Sequence, residues 1–301
     1  MLRNKGEIST KMIVLILIGI ASFVVLLIFL FRLDIGGESD IQMCRNSVII
    51  KATASLSRET VPLKCPRKYV CITKNGDCAG MIKPKRINVR SDYEIYEALA
   101  EEMVDCWYMF GEGEYDYIQN DLLKKNYCSI CSQILFDESL SKIYGINKTI
   151  SKDEFYNYLA THLVSGRDVT YAEYILGTRD IDGLKQEISR SKDNPEGISS
   201  FGEIEIGKQY FLVMGITSGT STFKWVLVAT ATVPLTIFSG GIAGIELAAG
   251  AMLISGHTSP HIGAIIVEGK GIKNEFMAPT IVEADPEQFE ELKCGEVLTF
   301  S

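Results

Sequence analysis

Residues 13–31 read IVLILIGIASFVVLLIFLF, a run with no charge in which Ser22 is the only polar side chain. As a helix rising about 1.5 Å per residue, the run spans roughly 28 Å, close to the ~30 Å apolar thickness of a bilayer. A secretory signal carries an apolar region of only about 7–15 residues and ends at a small-residue cleavage site. This run is longer and gives way to Phe31-Arg32-Leu33-Asp34. Residues 13–32 are therefore expected to be an uncleaved transmembrane anchor whose partner is a lipid bilayer. Arg3, Lys5 and Lys11 precede it against the single acid Glu7. Residues 1–12 are thus expected to stay cytoplasmic and the rest of the chain to lie outside, in a single-pass arrangement.

The remainder is globular in composition. Of 301 residues, 47% are hydrophobic and 23% charged, which excludes a disordered chain. Residues 1–32 hold four of the 30 basic and one of the 38 acidic side chains, so residues 33–301 hold 26 and 37. Such a balance repels phosphate, and nucleic acid is excluded as a partner. It also keeps an exterior body solvated and off anionic lipid.

All eight cysteines lie beyond the anchor: Cys44, Cys65, Cys71, Cys78, Cys106, Cys128, Cys131 and Cys294. An even number in an exterior compartment points to a disulfide framework, with 105 connectivities open. Seven fall within residues 44–131, so that region is the braced one, and Cys294 is expected to tie the C-terminus back to it. Cys128-Ser129-Ile130-Cys131 is a CxxC. A redox pair would need a thioredoxin-like βαβ context, and a zinc site would need a second CxxC or a histidine pair. Neither is visible, which leaves two structural bridges as the favoured reading.

Period and punctuation give an α+β pattern. Residues 46–53 read as a strand. Residues 69–73 and a short run after Asn75-Gly76 read as a hairpin. Ser91 and Glu94 form a capping box opening a helix that aligns Ile95, Leu99, Met103, Cys106 and Phe110, with Gly111-Glu112-Gly113 as its stop. Residues 127–136 read as a strand. Ser151 with Glu154, and Thr170 with Glu173, open two short helices. Strands are expected at 209–216, 262–268 and 280–283, and Asp285-Pro286 opens a last helix. The chain thus divides into a cytoplasmic segment 1–12, the anchor 13–32, a cysteine-rich α+β region 33–177, a polar loop or linker 178–200, and a β-rich region 201–301.

Residues 225–254 are apolar, with Glu246 as the only charge and Pro234, Gly240 and Gly241 as breaks. The length admits a second span, but a charge at bilayer depth costs about 2–3 kcal/mol or more. A second span would also put Cys294 in the reducing compartment. A buried or membrane-facing helical hairpin on the exterior side is expected.

The segment Lys5-Gly6-Glu7-Ile8-Ser9-Thr10-Lys11-Met12 resembles the class III signal peptides of archaeal pilins and archaellins. The resemblance implies an archaeal surface protein and processing between Gly6 and Glu7. Lys11 stands where that family usually has the glutamate associated with filament assembly. The ectodomain carries no family motif. It has no phosphate-binding glycine loop, no GxSxG and no HExxH, and Glu112, Glu114 and Asp116 lack a calcium-loop pattern. His257 and His261 flank Pro260, which breaks a helical metal clamp. Asn147-Lys148-Thr149 is a glycosylation sequon. The expectation is a membrane-anchored cell-surface structural or interaction protein, with no catalytic, cofactor or metal residues and with another protein or a second copy of itself as partner. A pilin-like subunit and a membrane-perturbing protein using 225–254 are the alternatives.

Overall fold

The computed structural model describes residues 10–32, 35–54, 61–118, 126–190, 200–217, 249–254 and 262–286 apart from 144, 147 and 273, together with 289, 292 and 294–299. Two compact units divide at Asp40. The first contains helix α1, Thr10–Arg32. Side chains 13–25 on it are all exposed, and Ser22 donates its hydroxyl to the Ile18 carbonyl at 2.8 Å. Among the described residues no helix is long and apolar enough to cross a membrane; the side chains described on α1 end at residue 25.

The second unit, residues 41–301, is built on an eight-stranded mixed sheet. Helix α2, Ile35–Thr53, enters it. The strand expected at 46–53 is therefore helix. Val48, Ile49 and Ile50 favour a strand locally, but Cys44, Ser47 and Val48 bury one face at i, i+3 and i+4, and a bridge from Cys44 to Cys65 pins that face. Next come β1 (Lys68–Thr73), β2 (Lys85–Asn88), α3 (Asp92–Met109) and β3 (Asn126–Phe136). Then follow β4 (Thr149–Ser151), α4 (Lys152–Thr161), α5 (Tyr171–Leu176) and α6 (Ile181–Arg190). The chain closes with β5 (Glu203–Glu205), β6 (Gln209–Thr217), β7 (Ala249–Ile254), β8 (Ile262–Glu268), β9 (Glu275–Glu283) and β10 (Glu296–Val297). Strand order is β2-β1-β3-β6-β9-β8-β7, with β10 beside β3, and β4 pairs with β5 in a separate two-stranded sheet.

The expected hairpin at Asn75-Gly76 does not form, since β1 pairs β2 in parallel. Gly76 serves a close approach instead: a Cβ there would lie 1.9 Å from Asp137 Oδ1. The segment 178–200, expected as loop, contains α6; residues 191–199 lie outside the described residues. Of the expected helical hairpin 225–254, residues 249–254 are strand β7, paired antiparallel to β8, and 225–248 lie outside the described residues. Apolar composition alone does not separate a buried strand from a buried helix. The chain leaves this sheet after Thr217 and re-enters it at Ala249. The strand expectations at 127–136, 209–216 and 262–268 hold, and 280–283 is the end of the longer β9. Pro286 and Phe289 are helical, and the Phe289 amide bonds the Asp285 carbonyl.

The two faces of the sheet are covered differently. Leu99, Met103 and Trp107 of α3 and Phe155 and Leu159 of α4 pack with Ile134, Leu212 and Phe276 in the main core. Cys128, Ile130, Val213, Met277 and Val282 form a separate cluster, closed by Leu292, Phe289 and Cys294 of the C-terminal segment.

Lys152 opens α4 but is buried, and its Nζ donates to the Ile281 carbonyl at 3.2 Å. Burial depresses its ammonium to about 8, against a smaller opposing pull from Glu283. The unfolded chain therefore holds this proton more tightly, and stability rises with pH between about 8 and 10.5, by roughly 3 kcal/mol in total. Above about pH 10 the buried tyrosines reverse the trend. Tyr210 is pushed up to about 12, so unfolded tyrosines ionise first. The urea midpoint followed by circular dichroism is expected to rise from pH 7 to 9 and fall by pH 11, and Lys152→Met is expected to flatten the rise. A midpoint that falls from pH 7 to 9 contradicts this.

Candidate functional site

The CxxC lies on β3, and strand periodicity decides its chemistry. Residues three apart on a strand point to opposite faces. Cys131 accordingly bridges Cys106 of α3, and Cys128 bridges Cys294 on the other face. The remaining pairs are Cys44–Cys65 and Cys71–Cys78, and no cysteine is free. Neither member of the CxxC is a thiol nucleophile or a zinc ligand while so bonded.

The three carboxylates after α3 are committed to protein partners. Glu112 lies 2.7 Å from Arg45 and 3.5 Å from Arg167, and accepts a short hydrogen bond from the Tyr174 hydroxyl. Glu114 meets Lys270, and Asp116 accepts from Asn274. Among the described residues no group of three or more ligand side chains could hold a metal ion. Gly6, Glu7, Asn147, His257 and His261 lie outside the described residues.

A groove that the sequence reading did not single out lies between α3 and α4, with a volume of about 300 Å³. Two of the expected helix starts build it. Ser91 Oγ accepts from the Glu94 amide and starts α3, while Glu94 Oε2 takes the Arg90 amide rather than that of Ser91. Ser151 Oγ accepts from the Glu154 amide and starts α4. These caps set the helix phase, so Tyr93 and Tyr96 of α3 face Tyr158 and His162 of α4. Thr170 and Glu173 complete the reciprocal box that starts α5, and Tyr171 follows at once behind the groove.

Tyr158 and His162 stack with ring centres 4.0 Å apart and planes 8° from parallel. Tyr93 stands edge-on to both at 5.1 Å. His162 Nδ1 lies 3.0 Å from both the Tyr158 carbonyl oxygen and the Thr161 hydroxyl. The Tyr96 hydroxyl donates to Glu154 Oε2 at 2.9 Å, and the Tyr171 hydroxyl to Glu101 Oε1 at 2.5 Å. Asp92 completes the rim. The phenols of Tyr96, Tyr158 and Tyr171 are all pushed up, first by burial and then by Glu154 at Tyr96, by Tyr93 at Tyr158 and by Glu101 at Tyr171. The groove therefore combines aromatic surface with negative potential, which suits recognition of a cation and offers no activated nucleophile.

No family model, curated protein or solved structure matches the chain. The signal the sequence held was the spacing: tyrosines at i and i+3 on one capped helix, and tyrosine and histidine at i and i+4 on another.

Proposed function

We propose that the chain is a membrane-anchored cell-surface interaction protein with no catalytic activity of its own. Residues 13–32 cross a bilayer, residues 1–12 remain cytoplasmic, and the braced body offers the α3–α4 face to a protein partner outside the cell. The observation that carries this reading is the pairing of all eight cysteines in four bridges, a state that persists in oxidising, extracytoplasmic surroundings. The composition of α1 supports it. Its one described polar side chain, Ser22, returns its hydroxyl to the helix backbone, so among the described side chains none would meet lipid unpaired.

A reporter active only in the cytosol, fused after Ser301, tests the topology. The reading predicts a silent C-terminal fusion and an active fusion at the N-terminus. An active C-terminal fusion overturns it. Sequencing the mature N-terminus separates the filament alternative, because a chain beginning at Glu7 is the product expected of pilin-type processing.

A further inference from the structure

We infer that the α3–α4 groove binds a guanidinium group, the arginine side chain of a basic segment on a protein partner. This rests on the reading above for the existence of an exterior partner, and adds its chemistry.

Charge comes first. Helix α3 reads DYEIYEALAEEMVDCWYM, with six carboxylates and no lysine or arginine; Glu102 and Asp105 pair with Lys68, and Asp92 lines the groove. Helix α5, YAEYIL, has no base, and its one acid, Glu173, pairs with Arg179 at 2.6 Å. The one lysine of α4, Lys152, is buried with its ammonium turned to the Ile281 carbonyl. Among the described residues no lysine or arginine lines the groove, whereas Asp92 and Glu154 both do.

Shape and surface come next. Tyr93 is 48% exposed, and its ring lines the groove together with the carboxylates of Asp92 and Glu154. Asp92 Oδ1 accepts the Tyr93 amide and Glu154 Oε2 the Tyr96 hydroxyl. A carboxylate offers about four acceptor sites, so both keep capacity for a further donor. The volume of about 300 Å³ lies at the low end for ligand pockets and suits one long side chain.

The protein's own packing identifies which cation. Arg45 lies over the Tyr108 ring at 3.9 Å while paired with Glu112. Arg167 lies over the Tyr174 ring at 4.3 Å beside the same glutamate. Twice, then, this chain holds an arginine between a tyrosine face and a carboxylate. The groove repeats the tyrosine and the carboxylate without supplying an arginine. A planar guanidinium stacks on a ring and donates to a carboxylate together, which a lysine ammonium does less well.

The test uses the full chain in detergent micelles with ring-13C-labelled tyrosine, titrated with N-acetyl-arginine methylamide. N-acetyl-citrulline methylamide, of the same shape but neutral, and tetramethylammonium serve as comparison probes. The expected result is saturable shifts of Tyr93 and Tyr158, with citrulline binding at least tenfold more weakly. Tyr93→Ala, at an exposed position, is expected to weaken arginine binding about three- to fivefold, and Glu154→Gln to do so comparably. Equal binding of citrulline, tighter binding of tetramethylammonium, or unchanged affinity in both variants overturns the inference. A failed titration with the body still exterior refutes the groove's role and leaves the surface-protein reading standing. A cytosolic body refutes that reading whatever the groove binds.

Discussion

Replacing Cys128 and Cys294 together by alanine is expected to destabilise the body by about 4 kcal/mol. The bridge closes a loop of 166 residues, by far the longest of the four, and loop-closure entropy grows with length. Its removal also frees the C-terminal segment that covers one face of the sheet. There Phe289 and Leu292 shield Val213, Met277 and Val282. Beside them, the Leu298 amide bonds the Cys128 carbonyl and Thr299 Oγ1 accepts the Ile130 amide. Hydrogen exchange is expected to rise first at 126–130 and 296–299. Cys71 and Cys78 close only seven residues, and their double replacement is expected to lose about 2 kcal/mol. Urea unfolding of both variants checks the order. Equal losses contradict the loop-length argument.

Glu112→Ala is expected to lose about 3 kcal/mol, since it takes the carboxylate partner, itself only 12% exposed, from the part-buried Arg45 and the Tyr174 hydroxyl. Glu112 also sits in the left-handed region at φ 58, between Gly111 and Gly113, which are likewise positive. That conformation costs a non-glycine residue about 1 kcal/mol. Glu112→Gly is therefore expected to be about 1 kcal/mol less damaging than Glu112→Ala, although both remove the carboxylate. The acid limb carries a second signature. Burial raises the Glu112 carboxyl, but the Tyr174 hydroxyl, Arg45 and Arg167 outweigh burial and hold it below its ordinary 4.5. A depressed carboxylate contributes stability in full above its unfolded value and loses it as pH falls through the folded one. Wild-type stability should thus decline below about pH 4.5, and Glu112→Gln should decline less steeply there. Thermal melts from pH 6 to 3 decide the matter, and parallel curves contradict it.

Much of the body was legible because its signals are local. Ser91, Ser151 and Thr170 each accept an amide at the third position of a helix, and the apolar spacing of Ile95, Leu99, Met103, Cys106 and Phe110 buries one face. What misled was tertiary. Val48 to Ile50 look like strand until the Cys44–Cys65 bridge and the buried Cys44, Ser47 and Val48 fix a helix. Asn75-Gly76 looks like a hairpin turn until Asp137 arrives from a distant part of the chain. The groove was hidden for the same reason, since α3 and α4 are joined only through β3 and the segments after it. The CxxC was more readable than the spacing alone implied. Once 127–136 is taken as a strand, period two sends Cys128 and Cys131 to opposite faces, and two separate bridges follow.

The most direct test of an exterior, disulfide-braced body is peptide mapping of the chain from intact cells, alkylated before lysis and digested without reduction. The account predicts four linked peptide pairs joining Cys44 to Cys65, Cys71 to Cys78, Cys106 to Cys131 and Cys128 to Cys294. Alkylated thiols at Cys128 and Cys131, or at all eight positions, would contradict it.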